Sequence, residues 1–451
     1  MATDIETPLS EFVSTLELDD VPASAIVHAK TLIVDAMGCA LSGDLSEETP
    51  MVRQASRAAF GSGDSTVVGS RERLSPAGAT LINSYLITAM TVCDVYRPAH
   101  CHMTPLIVAP AMTVAEETGA TGEDFLVAAI AGMELMARIA LGLDYPAFRA
   151  RGWHSPGVIG PFGAAAAFGR IKGFDPETML RALGLAATQS AGSYLSWGTP
   201  AVKFHQARGA VSGLLAAQMA EHGFIGGTRP LPADDGGIYN THSNGGKPDL
   251  AIESLGSLWE MEQIAIRLWP GASPVQTMLT GLFDLLDSEG VDASQTNSVE
   301  IGISTEDYKT HGGFSRPVGT FEALLSYAYL ASLALHDRRV WFDGVRAPRI
   351  HDAELLDFSE KRVRLVEVSD LPVNGCELTV RLDDGRELQR RVEEARGTAK
   401  NPATRDDVDK KFLLSAEPRL GEDAAGELLA ILWDLERQDH LGILWSLLST
   451  T

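Results

Sequence analysis

Three short segments concentrate the side chains that could carry out acid–base chemistry. The first, residues 94–105, ends on Thr104-Pro105, a helix start whose free backbone N–H groups favour a bound anion. Five of its side chains could take part in binding or proton transfer, namely one acid, one phenol, one guanidinium and two imidazoles: Asp94, Tyr96, Arg97, His100 and His102. The pattern indicates either a binding loop or a polar loop whose histidines cap neighbouring helices. His100-x-His102 lacks a third ligand at recognisable spacing, so we expect no metal site.

The second segment, Gly152–Gly157, places His154 between an aromatic residue and a Pro-Gly turn. Such a histidine is held in a defined position, as a general base requires, although a structural loop histidine is the alternative. The third segment carries Lys203, His205 and Arg208 within six residues. The two cations could bind carboxylates and His205 could donate or accept a proton; the alternative is a solvated helix face.

Further candidates follow later in the chain. Arg267 and Trp269 precede Pro270, and Arg316 precedes Pro317. Tyr329 lies in a helical run, where a core tyrosine is the ordinary expectation. The chain has no Gly-x-Gly-x-x-Gly after a strand, no Walker loop, no His-Glu-x-x-His and no Gly-x-Ser-x-Gly. Nucleotide cofactors, zinc-protease chemistry and serine-hydrolase chemistry therefore have no support.

The elements that must position these residues are mostly helices. A capping box at Thr121–Asp124 and an N-cap at Asp175 begin two of them. Gly226–Pro248 has the composition of a long loop, and Asn401–Phe412 returns to helix. Alternating patterns predict four strands, the last two forming a hairpin around Asp384-Gly385: Val299–Ile303, Arg362–Val368, Glu377–Leu382 and Glu387–Val392. We predict a mainly α protein, with an all-helical domain over 1–258 and 411–451 and a smaller, lid-like α+β domain over 259–410.

The length and net charge of the chain limit the classes of function that are possible. The 451 residues suffice for two or three domains. The chain has 37 Lys and Arg against 60 Asp and Glu, a net charge of −23, which argues against nucleic acid and anionic membranes as partners. A small anionic substrate would need a local basic pocket. Without an 18-residue apolar run or a basic N-terminal segment, we expect no membrane span and a cytoplasmic protein.

The same segments, in this order, resemble the 2-methylcitrate dehydratase family (MmgE/PrpD), which includes cis-aconitate decarboxylases and iminodisuccinate epimerases. The resemblance spans nearly the whole chain: Ala29–Gly38, Asn83–Tyr85, Val108–Ala111, Gly152–Ala167, His205, Ser212–Ala217, Gly223–Phe224, Arg396–Gly397, Asn401–Thr404 and Lys411–Phe412. It implies a helical domain completed by the C-terminus, a smaller α+β domain, a homodimer and chemistry without a cofactor. It also implies an active site in a cleft between the domains, for substrates with two or three carboxylates.

Carried over by position, the resemblance assigns catalytic roles to Asp94, His154, His205 and Tyr329. The chain departs from the family pattern at several positions. Cys93 stands at the first acid of a paired-Asp motif, and Met103 stands at a histidine unless His102 shifts by one. A motif lysine is displaced to Lys203, and another is replaced by Arg267. These departures predict a smaller or less charged substrate than those of the best-known members. An apolar rim supports the same prediction, formed by Trp153, Trp197 and Trp269.

The mechanism we predict is proton abstraction α to a carboxylate or carbonyl, with His154 as the base. Lys203, His205 and Arg267 would bind the carboxylate and stabilise the enolate, and Asp94 would orient a histidine or accept a hydroxyl proton. The remaining substrate-binding candidates are Tyr96, Arg97, Arg208 and Trp269. Dehydration or decarboxylation would make the protein a lyase. Two alternatives stay open: an isomerase using His102 or Tyr329 as a second proton donor, and a non-catalytic binding protein that kept the fold.

Overall fold

The computed structural model describes residues 4–449, which divide into two compact units. The first runs to Ala265 and resumes at Arg405, and the second is Ile266–Thr404. The predicted boundaries, after 258 and after 410, differ from these by seven and six residues. The α-helices are Glu6–Thr15 (α1), Ala23–Ser42 (α2), Thr49–Phe60 (α3), Pro76–Ala89 (α4), Thr104–Thr118 (α5), Gly122–Gly142 (α6), Tyr145–Ala150 (α7), Ser155–Ile171 (α8), Pro176–Ala187 (α9), Ala201–Glu221 (α10), Ile238–His242 (α11), Val275–Glu289 (α12), Thr305–His311 (α13), Thr320–Ala323 (α14), Tyr327–Asp337 (α15), Ala353–Arg362 (α16), Arg405–Leu420 (α17), Glu422–Trp433 (α18) and Gly442–Leu448 (α19).

The strands are short and fall into two groups. Two small antiparallel ribbons in the first unit pair Ser62–Thr66 (β1) with Arg73–Leu74 (β2) and Val95–Tyr96 (β3) with Ile264–Ala265 (β4). The second unit contains one four-stranded sheet, made of Thr296–Ile303 (β5), Val363–Glu367 (β6), Cys376–Leu382 (β7) and Glu387–Val392 (β8). The predicted fold class, mainly α with a smaller α+β domain, is therefore confirmed.

Helix starts in the first unit follow the predicted capping chemistry. The Thr121 Oγ1 accepts from the Asp124 backbone N–H at 3.1 Å, and the Asp124 carboxylate accepts from the Thr121 N–H at 3.0 Å. The Asp175 carboxylate accepts from the Thr178 N–H at 2.7 Å. These side chains satisfy backbone donors that the first helical turn leaves unpaired, and they fix where α6 and α9 begin.

Small residues allow α8 and α10 to pack closely and in parallel. A methyl group added at Gly213 would lie 2.3 Å from the Pro161 carbonyl oxygen and 2.5 Å from the Ala164 Cβ. One added at Gly209 would lie 3.1 Å from the Pro156 carbonyl oxygen. The two contacts run in the same direction along both helices. Extended toward the N-termini, this register places the start of α8 beside the first turns of α10.

Helix α17, with which the first unit resumes after the second, packs on α2. A buried ion pair joins them: the Lys411 ammonium donates to the Asp35 carboxylate and, at 2.7 Å, to the Val92 carbonyl. α2 and α6 are long and apolar enough to cross a membrane by length and composition alone. Both are largely buried inside this unit, with 67 % and 94 % of their apolar windows covered, which is typical of core helices.

The sheet of the second unit has the order β6-β5-β7-β8, with β5 parallel to β6 and antiparallel to β7. Ile301 lies opposite Leu365 on one side and Leu378 on the other. Alternation places Val299, Ile301 and Ile303 on one face of the sheet, where they belong to the same core cluster as side chains of α12 and α15. The predicted hairpin between β7 and β8 is confirmed, and Gly385 supplies the positive φ of its turn, at 90°.

Three local features differ from the predictions. The two ribbons of the first unit were missed because their strands are only two to five residues long and show no sustained alternation. The expected loop over 226–248 contains the short helix α11. The helix expected from Asn401 begins at Arg405, since a residue before proline, here Pro402, favours extended backbone.

Candidate active site

Two histidines from different helices meet in the first unit. His154 is the N-cap residue of α8, and its backbone N–H donates to the Gly192 carbonyl at 2.9 Å. His205 lies near the start of α10. The two Nδ1 atoms are 2.9 Å apart, within hydrogen-bond distance. The close packing of α8 on α10 therefore produces a histidine pair from residues 51 positions apart in the chain.

The environment keeps both imidazoles neutral near pH 7. Burial, followed by the charges of His205, His102 and Arg149, lowers the pKa of His154 from 6.5 to about 3. Burial and Arg208 also lower the pKa of His205. Two neutral rings joined through Nδ1 share one proton, so one ring donates and the other accepts. The donor ring then has a lone pair on Nε2 and the acceptor ring has an N–H there, which gives the pair one base and one acid.

The loop after α9, residues 188–200, holds the His154 segment in place. The Tyr194 N–H donates to the Gly152 carbonyl at 2.8 Å. Arg208 donates to the carbonyls of Gln189 at 2.8 Å and Ala191 at 3.4 Å, so its guanidinium fastens this loop. The Tyr194 ring stands edge-on to His154, with centroids 5.9 Å apart, and stacks on Trp197 at 5.4 Å. One side of the pair is thus aromatic.

Arg149 is a candidate that the sequence reasoning missed. Its guanidinium carbon lies 3.2 Å above the centre of the Tyr194 ring, and its charge helps to lower the pKa of His154. Within residues 4–449 it makes no ion pair. It is therefore a local positive charge close to the histidines on an acidic protein, the condition for binding an anion. It lies five residues before His154 but outside the segment Gly152–Gly157, and no pattern in the sequence distinguished it.

His102 influences the pair electrostatically, and Asp94 positions His102. The His102 Nδ1 lies 2.6 Å from the Asp94 carbonyl oxygen, and the His102 charge acts on His154. The Asp94 carboxylate accepts from the N–H groups of Met103 (2.7 Å) and Thr104 (3.1 Å) and from the Thr104 hydroxyl. It thereby caps the start of α5. Burial raises the pKa of Asp94 to about 6. Asp94 therefore holds a histidine through its backbone rather than through its carboxylate.

Three other residues of the first unit were predicted to bind substrate: Lys203, Tyr96 and Arg97. The Lys203 ammonium is buried and donates to the Ala89 carbonyl at the end of α4. Tyr96 is fully buried and donates to the Glu260 carboxylate at 2.6 Å, and burial raises its pKa far above the ordinary value. Arg97 is half-buried and begins a single 3-10 turn. The binding roles of Lys203, Tyr96 and Arg97 stay predictions.

The remaining predicted residues belong to the second unit. Arg267 is buried and donates to the Gly271 carbonyl at 3.2 Å. Trp269 stacks on Phe283 with centroids 5.2 Å apart. Tyr329 is fully buried, and its hydroxyl donates to the Gly344 carbonyl at 2.7 Å. The catalytic role of Tyr329 and the binding roles of Arg267 and Trp269 stay predictions.

Comparison with known proteins agrees with the resemblance seen in the sequence. Models of the MmgE/PrpD N-terminal domain and of the MmgE/PrpD C-terminal domain match residues 7–251 and 269–437. A cis-aconitate decarboxylase from Aspergillus terreus is 26 % identical over 475 aligned residues, covering 99 % of this chain and 96 % of the relative. A cis-aconitate decarboxylase from Homo sapiens is 24 % identical, covering 99 % of this chain and 95 % of the relative.

Proposed function

The chain belongs to the MmgE/PrpD family, and we propose that it is a cofactor-independent lyase that decarboxylates a small unsaturated carboxylic acid. The observation that carries the proposal is the neutral His154–His205 pair, which offers an N–H and a lone pair on its two outer nitrogens. The relatives named as cis-aconitate decarboxylases support a substrate of that chemical class.

The reaction we propose needs a proton donor beside the carbon that loses CO2. The bond to the departing carboxylate breaks, CO2 leaves, and the electron pair is delocalised through the double bond toward a remaining carboxylate. The Nε2–H of one imidazole then protonates the carbon. That ring regains a proton at Nδ1 from its partner, and the partner takes one at its own Nε2 from water. The pair then holds its starting number of protons with its two tautomers exchanged. Before the next turnover the first ring takes a proton from water at Nε2, passes its Nδ1 proton to the partner, and the partner releases its Nε2 proton to water, which restores the starting tautomers.

Burial suggests how the roles divide. His154 is only 6 % exposed and lies near Arg149, whose charge can hold a substrate carboxylate. His205 is half-buried. We assign proton delivery to His154 and exchange with solvent to His205. Positioned proton transfer of this kind contributes about 10²- to 10⁴-fold in rate.

Dehydration is the second candidate, favoured by the same acid-and-base arrangement. One Nε2 would remove a proton α to a carboxylate while the other protonated a departing hydroxyl. The substrate would then carry a β-hydroxyl group, and the product would retain every carboxylate. Product analysis separates the two reactions directly.

The test is a panel of small di- and tricarboxylic acids incubated with the full chain in D2O, with CO2 release and NMR of the products as readouts. We expect CO2 release and one new C–D bond per turnover. Water loss without CO2 would establish the dehydratase instead, and deuterium in recovered substrate would establish an isomerase. Ligand binding without any turnover would overturn the assignment as an enzyme.

The homodimer implied by the resemblance is also a proposal. Three apolar side chains are exposed in and just after the 188–200 loop: Leu195 at 90 %, Phe204 at 45 % and Trp197 at 39 %. A partner surface would cover them. Sedimentation equilibrium should give twice the 48.2 kDa chain mass. A monomer at micromolar concentration would contradict it.

A further inference from the structure

A cavity of about 550 Å³ lies entirely within the second unit. It is bordered by β5, β6 and the segment that follows α13, and none of the residues proposed above for the reaction lines it. Its volume suits a small metabolite. A ligand in this cavity would bind independently of the proposed lyase activity.

The rim of the cavity is basic on a chain that is strongly acidic. Four cations line it against two acids: Lys361, Arg362, Arg364 and Arg381 against Glu300 and Glu360. Most of the cations are already engaged. Lys361 pairs with Asp357 at 2.7 Å, Arg381 pairs with Glu387 at 2.9 Å, and Arg362 donates to the Thr296 carbonyl at 2.7 Å.

Arg364 differs from the other three cations. It is exposed, and within residues 4–449 it makes neither an ion pair nor a side-chain hydrogen bond. An anion can therefore bind it without displacing an existing partner, and a guanidinium binds carboxylate and phosphate groups through two parallel hydrogen bonds. Arg364 is the residue on which an anionic group would be centred.

Two buried polar groups line the same cavity. His311 is 4 % exposed and Tyr327 is 1 % exposed. Neither the Nδ1 of His311 nor the hydroxyl oxygen of Tyr327 has a hydrogen-bond partner among the described residues. Buried polar atoms are normally satisfied, so an unpartnered pair at one cavity points to a ligand that satisfies both.

The chemistry of these two groups specifies what they would bind. Burial lowers the pKa of His311, so its ring is neutral near pH 7 and carries one N–H and one lone pair. The unpartnered Nδ1 can therefore accept or donate one hydrogen bond. Tyr327 has a hydroxyl proton to donate. A ligand hydroxyl fits between them, since it accepts from Tyr327 and donates to His311.

We propose that this cavity binds a small hydroxylated organic anion, with its carboxylate or phosphate at Arg364 and a hydroxyl group between Tyr327 and His311. Hydroxycarboxylic acids and sugar phosphates share this chemistry. The named probes distinguish them: citrate against tricarballylate, which lacks the hydroxyl, and glucose 6-phosphate against inorganic phosphate.

The experiment is calorimetric titration of the full chain with each probe. We expect citrate or glucose 6-phosphate to bind, and its partner without hydroxyls to bind about tenfold more weakly. Arg364→Gln should weaken binding about tenfold or more, because it removes a charge-assisted contact. Tyr327→Phe should abolish the preference for the hydroxylated probe without destabilising the fold, since the lost hydroxyl is unpartnered.

Two further variants make the result decisive. Arg386→Gln, at an exposed arginine of the β7–β8 turn that does not line the cavity, should bind as the parent does. Binding should also persist in His154→Gln, which separates this site from the histidine pair. The proposal is overturned if no probe binds, if Arg364→Gln and Tyr327→Phe bind unchanged, or if binding requires His154.

Discussion

The candidate site depends on the contact between His154 and His205, because neither histidine alone offers both an acid and a base. Each is an ordinary imidazole, yet the 2.9 Å contact between their Nδ1 atoms leaves one lone pair and one N–H on the outer nitrogens. Burial prevents the pair from gaining a second proton near neutrality. The pair can therefore take part in proton transfer at pH 7 without carrying a charge that would have to be desolvated.

The shifted pKa of His154 predicts a pH dependence of stability. Its pKa falls from 6.5 to about 3 on folding, so between those values the unfolded chain binds a proton that the folded chain does not. This contribution to stability is complete above pH 6.5 and is lost as the pH falls toward 3. Between pH 7 and pH 5 it lowers the free energy of unfolding by about 2 kcal/mol.

Urea unfolding of the parent and of His154→Gln at both pH values measures this difference. The parent should lose about 2 kcal/mol more than the variant on acidification. Asp94, whose pKa burial raises to about 6, acts in the opposite direction but is common to both chains and cancels. Equal losses in the two chains would contradict the burial of a neutral His154.

At the residue scale the sequence located the individual histidines but not the pair. His102, His154 and His205 were predicted from their neighbours in the chain, whereas their meeting depends on helix packing. The binding role of Lys203 stays a prediction. Residues two apart on a helix do not face each other, and the Lys203 ammonium donates to the Ala89 carbonyl. Arg149 was missed because no pattern distinguished it from other surface arginines.

At the scale of elements, the parallel contact of α8 and α10 sets the distance between the two histidines. Gly213→Ala tests it, because the added methyl group would lie 2.3 Å from a backbone oxygen of α8. We expect a loss of about 1–3 kcal/mol in unfolding free energy, with a loss of activity as the pair separates. Gly426→Ala in α18, where nothing lies within 4 Å of the new methyl, is the control and should be neutral or stabilising. Equal effects of the two substitutions would contradict this account of the packing.

Much of the fold could be predicted at this scale because local chemistry determines it. Capping side chains predicted where α6 and α9 begin, and alternation predicted β5, β6 and the β7–β8 hairpin. The order β6-β5-β7-β8 was not predicted, since strand order depends on contacts between distant segments. The two-residue strands β2, β3 and β4 were missed because they are too short to carry a periodic pattern.

At the scale of the whole chain, the buried ion pair between Asp35 and Lys411 joins α17 to α2, two helices that are far apart in the sequence. Lys411→Met should destabilise the protein by about 3–5 kcal/mol, because it leaves a carboxylate buried without its ammonium. The double variant Asp35→Leu/Lys411→Met should recover most of that loss. Thermal unfolding of the three chains measures both effects. A double variant as unstable as the single one would contradict a role based on charge pairing.

The net charge of −23 predicts how an anionic substrate reaches its site. The protein as a whole repels the substrate, and only local cations such as Arg149 attract it. Raising the ionic strength from about 0.01 M to about 0.15 M shortens the screening length from about 30 Å to about 8 Å. We expect kcat/KM for a polycarboxylate to stay constant or rise over this range in steady-state assays. A steep fall would show that long-range attraction dominates.

The central claim, that His154 and His205 act as one proton-transferring unit, is tested most directly by a double-mutant cycle on kcat/KM. We predict that His154→Gln and His205→Gln each lower kcat/KM by about 10²- to 10⁴-fold and that the double variant is no worse than either. His440→Gln, at an exposed histidine remote in sequence from the pair, should match the parent. Full turnover in either single variant, or losses that multiply in the double variant, would contradict the account.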